Sequence, residues 1–303
     1  MTDWQDGWPA GTADDLVDDA RALGISYTRR AITDYVEVGL LASPVHRKST
    51  QRGSDARIFP PAQRRLFYEL NRARLRSALP RVPRHTMIPI VLFMWCTDDT
   101  VVTDSQARRA LRTYARSAGV GSDGRRRETA RKVVEQFAHP LATPGQRQVA
   151  AAWIRAGEKS RNPRWDPLAD ALSTVASPWR SRGLAEIVRG VGPAAAPMTT
   201  DQVVAMWELA FEVNQRLAIE SVDEAVLRHA REEHRRNWEG YQAVRLDWKA
   251  QAGPLADIFE MPDDQEQAAR QHVRGFESVL GNTLGLARPA FQRAEARARA
   301  RLR

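Results

Sequence analysis

The sequence predicts a mostly α-helical protein: two short helices, a basic β-hairpin and a third helix, followed by a larger all-helical region. Three observations carry this prediction. Apolar residues recur at helical spacing along most of the 303 residues, between Ser/Thr/Asp starts and Gly/Pro stops. Only residues 45–60 read differently, as two weak strands around a Gly-containing tip. Positive charge is clustered, with 11 Lys/Arg against two acids between Pro44 and Arg84 and nine against two between Ser105 and Lys132.

Composition narrows the function classes. The chain is 27% charged and 43% hydrophobic, ordinary for a globular protein and wrong for a disordered or collagen-like one. Its longest apolar run, Met87 to Cys96, has ten residues including Pro89. A bilayer span needs about 20, so no membrane partner is expected. The first twenty residues hold six Asp and no Lys or Arg, unlike a secretory signal. One cysteine, Cys96, excludes an intramolecular disulfide or a zinc cage, and the expected compartment is the cytoplasm. The net charge is +9, and 42 of the 46 basic residues are Arg. Clustered cations of this kind favour a polyanion such as nucleic acid.

Taken in order, residues 14–23 form an amphipathic helix stopped by Gly24. Ser26 and Thr28 are both possible N-caps for a second helix reaching Val38 and closed by Gly39. Pro61 suits the first turn of a third helix, which Pro80 and Pro83 end. Residues 87–96 are buried helix or strand, and periodicity leaves the choice open. Thr103-Asp104-Ser105-Gln106 opens a helix ended by Gly119, and another runs from the Arg125-Arg126-Arg127 run to Ala138. Residues 146–159 and 167–176 are helical. Residues 191–197 read as a Gly/Pro/Ala boundary. Capping boxes at 199–202 and 221–224 head helices to about Leu217 and Lys249, and the alternating tail from Ala294 is a helix prone to fray. The expected domains are residues 12–84, 85–190 and 198–303.

The first of these domains carries the functional expectation. Two helices, a basic hairpin and a third helix form the layout of a winged helix-turn-helix, whose second helix fits the DNA major groove. Its exposed start offers Tyr27, Thr28, Arg29, Arg30 and Thr33 as donors to bases and phosphates. In the hairpin, Arg47, Lys48, Arg52 and Arg57 are placed to hold flanking phosphates. His46 is a further phosphate donor there, or an ordinary surface residue. Ile32, Tyr35, Val36, Leu40 and Leu41 have the spacing of the inner face.

The run from Ala31 to Leu41 with Pro44 after it, Gly53, and Arg57-Ile58-Phe59-Pro60 are similar to the N-terminal DNA-binding domain of MerR-type transcriptional regulators. The resemblance covers residues 12–75, about a fifth of the chain. It implies that Arg30 and its neighbours face the major groove, while Arg47 and Arg57 take wing and backbone-contact roles. This chain departs from the family at Thr33, where an Arg is usual, and in a stretch from Gly24 to Tyr35 that is two residues longer. About 220 residues of another kind follow the wing, with no Cys cluster, so metal sensing is not implied.

No catalytic constellation is present and no cofactor is expected. His229 and His234 stand five apart, which turns them to different sides of a helix, whereas a zinc-binding His-Glu-x-x-His needs four. Asp98-Asp99 and Asp263-Asp264 sit where acids favour helix starts. Of the nine Trp, Trp238 and Trp248 share helical spacing with Tyr241 and Arg245, as a partner-binding stripe or as core. The expected function is thus a sequence-specific double-stranded DNA-binding regulator acting as a homodimer. An accessory factor of a mobile element, using residues 108–132 as a second DNA contact, and a helical adaptor for protein partners are the alternatives.

Overall fold

Thr12 begins the first helix. Its hydroxyl accepts from Asp15 N while the Asp15 carboxylate accepts from Thr12 N at 2.6 Å, a closed capping box over α1 (Ala13–Ala22). The computed structural model describes residues 7–47, 56–76, 84–98, 100–117, 123–179, 198–251 and 265–302. Among them are twelve α-helices and one two-stranded antiparallel hairpin. Lys48, Arg52, Gly53, Pro80, Pro83, Asp99, the 191–197 boundary and Asp263-Asp264 lie outside the described residues. No helix among the described residues is long and apolar enough to cross a membrane.

Two compact units account for the chain: residues 1–117, 215–237 and 261–277 in one, and 118–214, 238–260 and 278–303 in the other. In the first unit α1 is followed by α2 (Arg29–Glu37), β1 (Val45–Arg47), β2 (Ala56–Ile58) and α3 (Pro61–Arg76). The strands pair Val45 with Ile58, His46 with Arg57 and Arg47 with Ala56. Phe59 and Gly11 exchange both backbone hydrogen bonds, at 2.7 and 3.1 Å, fastening the entry of α1 to the exit of the hairpin. Leu16, Ile32, Tyr35, Leu40, Leu41, Leu66, Phe67 and Leu70 are buried together with less than 4% exposure.

Residues 87–96 resolve as helix: a 3-10 turn (Arg84–Met87) leads into α4 (Ile88–Thr97). A helix apolar on every side needs cover on every side. Trp95 obtains it by donating its indole N–H to Asp104 at 2.9 Å and standing edge-on to Phe276 at 5.3 Å. The Arg231 guanidinium lies 5.0 Å over its ring and donates to the Trp95 carbonyl at 2.6 Å. Cys96 is buried beside them, and desolvation pushes its thiol up to about 12.

α5 (Asp104–Ser117) packs on the end of α2. Gln106 and Gln63, both buried, form an amide chain: Gln106 donates to Leu40 O at 3.1 Å, Gln63 donates to Gln106 at 3.0 Å, and Gln63 accepts from Ala42 N at 2.8 Å. This satisfies backbone groups that the turn after α2 leaves unpaired. It also diverts Gln106 from the capping box expected at 103–106, although Thr103 still accepts from Gln106 N at 3.2 Å.

The second unit contains α6 (Asp123–Phe137), α7 (Pro144–Lys159) and α8 (Trp165–Ala176), with parts of α9 (Thr200–Ala218), α10 (Glu224–Gln251) and α11 (Gln265–Thr283), and α12 (Ala287–Leu302). Val134, Ile154, Leu168, Leu172, Val175 and Val204 form its core. The helix expected from Ala294 is present as the last turns of α12. Its Ala290 and Ala294 pack on Ala205, and Arg293, Arg297 and Arg301 make an i, i+4, i+8 stripe paired with Asp166, Asp170, Asp201, Glu208 and Glu212. The 199–202 box closes as expected, with reciprocal bonds of 2.8 and 3.2 Å. The 221–224 box does not. Asp223 caps α10 by accepting from Ala225 N at 2.7 Å, and Ser221 donates instead to Arg216 O.

Candidate nucleic-acid interface

The turn between α1 and α2 is set by glycine. Gly24 has φ +77°, and Gly24 N and Ile25 N donate back to Arg21 O and Ala20 O, closing the carbonyl end of α1. Of the two possible N-caps, Thr28 is the one used. Its hydroxyl accepts from Ala31 N at 3.4 Å, so this side chain serves α2 itself.

α2 has two unlike faces. Ala31, Ile32 and Tyr35 are buried, while Thr28, Arg29, Arg30, Thr33 and Glu37 are exposed. Arg29, Thr33, Val36, His46 and Arg57 line one concavity of about 540 Å³ between this outer face and the hairpin. The arrangement thus brings Arg29 and Thr33 of the helix together with Arg57 of the hairpin. Arg47 ends β1 opposite Ala56.

Both outward arginines already have carboxylate partners. Arg29 makes a two-pronged pair with Asp14 of α1, which holds the Asp14 carboxyl below its ordinary range. Arg30 lies 3.1 Å from Asp34 and 3.8 Å from Glu37, with 75% of its side chain exposed. Such exposed pairs are weak and open to exchange for another anion. Asp14 was missing from the expected site; it stands 15 residues before Arg29, and only the fold joins them.

Tyr27 is placed differently from the other predicted donors. Its hydroxyl donates to Asn71 Oδ1 at 2.9 Å, lies 3.0 Å from the Tyr35 hydroxyl and accepts from Arg74 at 2.7 Å. Tyr35 also donates to Asn71, at 2.9 Å, and Asn71 Nδ2 donates to Phe67 O at 2.8 Å. This network locks α2 to α3 beneath the outer face, so Tyr27 holds the helix while Arg29, Arg30 and Thr33 face outward. A half-buried pair between Arg64 and Asp19, at 2.6 Å, does the same for α1 and α3.

The second basic cluster divides. Arg109 donates to Val36 O at 3.0 Å and Leu41 O at 3.4 Å. Arg108 and Arg116 donate to Glu220 O and Ala218 O, both at 3.1 Å, and Arg112 pairs with Glu220. Arg109 and Arg116 thus cap the ends of α2 and α9, where the carbonyl dipoles favour cations. Arg108 and Arg112 brace Glu220, which holds φ +56° without being glycine. The guanidinium groups of all four donate to protein oxygens.

His229 is exposed and His234 buried, in keeping with their five-residue spacing. His234 lies 3.3 Å from His272 of α11, and Gly275 leaves the space its ring occupies. Burial lowers both imidazoles, His272 to about 4. No group of three or more His, Cys, Asp or Glu able to hold a metal occurs among the described residues. Trp238 and Tyr241 are half-buried with their rings 5.5 Å apart.

Comparison of the chain with protein-family models, with curated proteins and with solved structures found no match.

Proposed function

We propose that this chain binds a specific site in double-stranded DNA through α2 and the β1–β2 hairpin, as a transcriptional regulator of winged helix-turn-helix type. One observation carries the reading: α2 buries its apolar side and turns Arg29, Arg30 and Thr33 outward, into or beside a concavity shared with Arg57 and His46 of the hairpin. Nine residues make a rod about 14 Å long, of a size to enter a major groove about 12 Å wide. On contact, Arg29 and Arg30 exchange Asp14, Asp34 and Glu37 for base edges or phosphates, and Arg57 holds the flanking backbone. A helix this short reads few base pairs, so a homodimer spanning two half-sites supplies useful specificity.

Binding of full-length protein to duplex DNA tests this against the adaptor reading. Six phosphate contacts, from Arg29, Arg30, Arg47, Lys48, Arg52 and Arg57, predict an affinity loss of about a thousandfold between 50 and 200 mM salt. Replacement of Arg29 and Arg30 by Ala removes site-specific binding. Affinity that ignores both salt and this replacement excludes the proposal.

A further inference from the structure

The first turn of α6 and the C-terminal half of α7 enclose a second charged concavity, of about 230 Å³, lined by Asp123, Arg126, Arg127, Arg155 and Lys159 with Ala152 and Ala156. Its cations are poorly matched by protein anions. Asp123, the only acid in the lining, lies 2.8 Å from Lys159 and 3.9 Å from Arg126. Four cations line it with one carboxylate, and the half-buried Glu158 carboxylate beside it acts on Arg126, which leaves a local excess of two positive charges.

Arg155 stands out in an arginine-rich chain. Other shielded arginines hold at least one carboxylate or carbonyl partner, as Arg64 does with Asp19, Arg109 with Val36 O, Arg147 with Glu135, Arg231 with Trp95 O and Arg301 with Asp170. Arg108 and Arg297, whose Nε is also buried without a hydrogen bond, are held through their terminal nitrogens. Arg155 has no carboxylate or carbonyl partner among the described residues, and its Nε is shut off from solvent without a hydrogen bond. A shielded donor without an acceptor is costly, and gathered like charges add to that cost. A ligand that removes both costs is a multiply charged oxyanion. Guanidinium forks match phosphate oxygens in shape as well as charge, and the two alanines leave room for the group.

We propose that this concavity is a phosphate-binding site, in which Arg155 and Arg127 grip the oxyanion and Lys159 and Arg126 complete the charge. The ligand is a phosphate-bearing molecule, either a free polyphosphate or a stretch of nucleic-acid backbone. The site shares no residue with α2 or the hairpin and stands whether or not those bind DNA.

The test uses full-length protein and inorganic tripolyphosphate, followed by calorimetry. Tripolyphosphate is expected to bind the native chain, and Arg127→Ala with Arg155→Ala to weaken it by about tenfold or more. Lys132→Ala, which removes a cation from α6 outside the concavity, is expected to change affinity by less than about twofold. Absence of binding at millimolar tripolyphosphate, or an equal loss in the Lys132 variant, overturns the site. Folding is checked by Arg155→Met, which removes an unanswered cation and is expected to leave the unliganded melting temperature unchanged or raised. A marked fall there means that Arg155 is a structural residue and the proposal fails. The source of the phosphate follows from duplex DNA binding by the same double variant. A salt slope lower by about two contacts points to the DNA backbone, and an unchanged slope to a free phosphate ligand.

Discussion

Gly39 joins the candidate interface to the rest of its unit, and replacing it with Ala tests that junction. Two costs combine there. The residue has φ +84°, a left-handed conformation that a side chain disfavours by about 1 kcal/mol. A Cβ would also fall 2.2 Å from Ala110 N and 2.7 Å from Ala110 Cα. Those atoms belong to the backbone of α5, so no rotamer change relieves the clash and α5 must move; overpacking of this kind costs about 1–3 kcal/mol more. Gly24 supplies the control, with φ +77° and nothing within 4 Å of the added atom. Gly24→Ala is therefore expected to lose about 1 kcal/mol and Gly39→Ala about 2–4 kcal/mol. At roughly 2–4 °C per kcal/mol, the two melting temperatures separate by several degrees. Urea and thermal unfolding, followed by circular dichroism and tryptophan fluorescence, measure both. Equal losses would refute the packing of α5 on the end of α2.

Other regions make separate predictions. His272 and His234 are buried with folded-state values below the unfolded 6.5, so the folded chain binds fewer protons than the unfolded one. Stability is full above about pH 6.5 and falls as the pH drops toward about 4. Urea midpoints for native chain and His272→Phe should diverge across that window, and parallel curves would exclude the pair as its cause. Arg297, 10% exposed, stands between Asp201 and Glu208, each 6% exposed, so Arg297→Ala should cost about 3 kcal/mol by leaving buried carboxylates underpaired. Arg299→Ala, on the same helix but 78% exposed, should leave the unfolding midpoint unchanged. Asp14→Asn frees Arg29 and removes a negative charge beside the groove. Severalfold tighter duplex binding is expected from it, measured at fixed salt, and weaker binding would contradict the place given to Arg29.

Sequence reading succeeded where a signal is local. Gly24, Thr28 and Gly39 mark the ends of α1 and α2 because turn and cap chemistry involves residues a few positions apart. Pro61 and Thr199 mark helix starts for the same reason. It stopped where partners are remote. Residues 87–96 could not be assigned because their helix depends on Asp104, Arg231 and Phe276. Gln106 and Ser221 fit a cap pattern, yet each has another partner, Leu40 O for one and Arg216 O for the other. α11 went unassigned although Ala269, Val273, Phe276 and Leu280 carry the helical spacing. Its Gly275 and Gly281 admit His234 and Leu209 at close range. Within the candidate site, exposure of Arg29, Arg30 and Thr33 followed from periodicity, whereas the Asp14 partner and the inward turn of Tyr27 followed only from the fold. The line drawn at residue 84 tracks composition, and Gly39, Gln63 and Gln106, which carry the packing across it, have no compositional signature.

Selection of bound duplexes from a randomised DNA pool tests the central claim most directly. Full-length protein is the form to use, because a fragment ending at residue 84 would strip α5 from Gly39, Leu40 and Gln63. Native chain is expected to enrich one motif, with two half-sites if it acts as a dimer, and the Arg29→Ala, Arg30→Ala, Arg57→Ala variant to enrich none. Failure of the native chain to enrich any motif, or recovery of the same motif by the variant, would contradict the assignment of α2 and the hairpin as a DNA-reading surface.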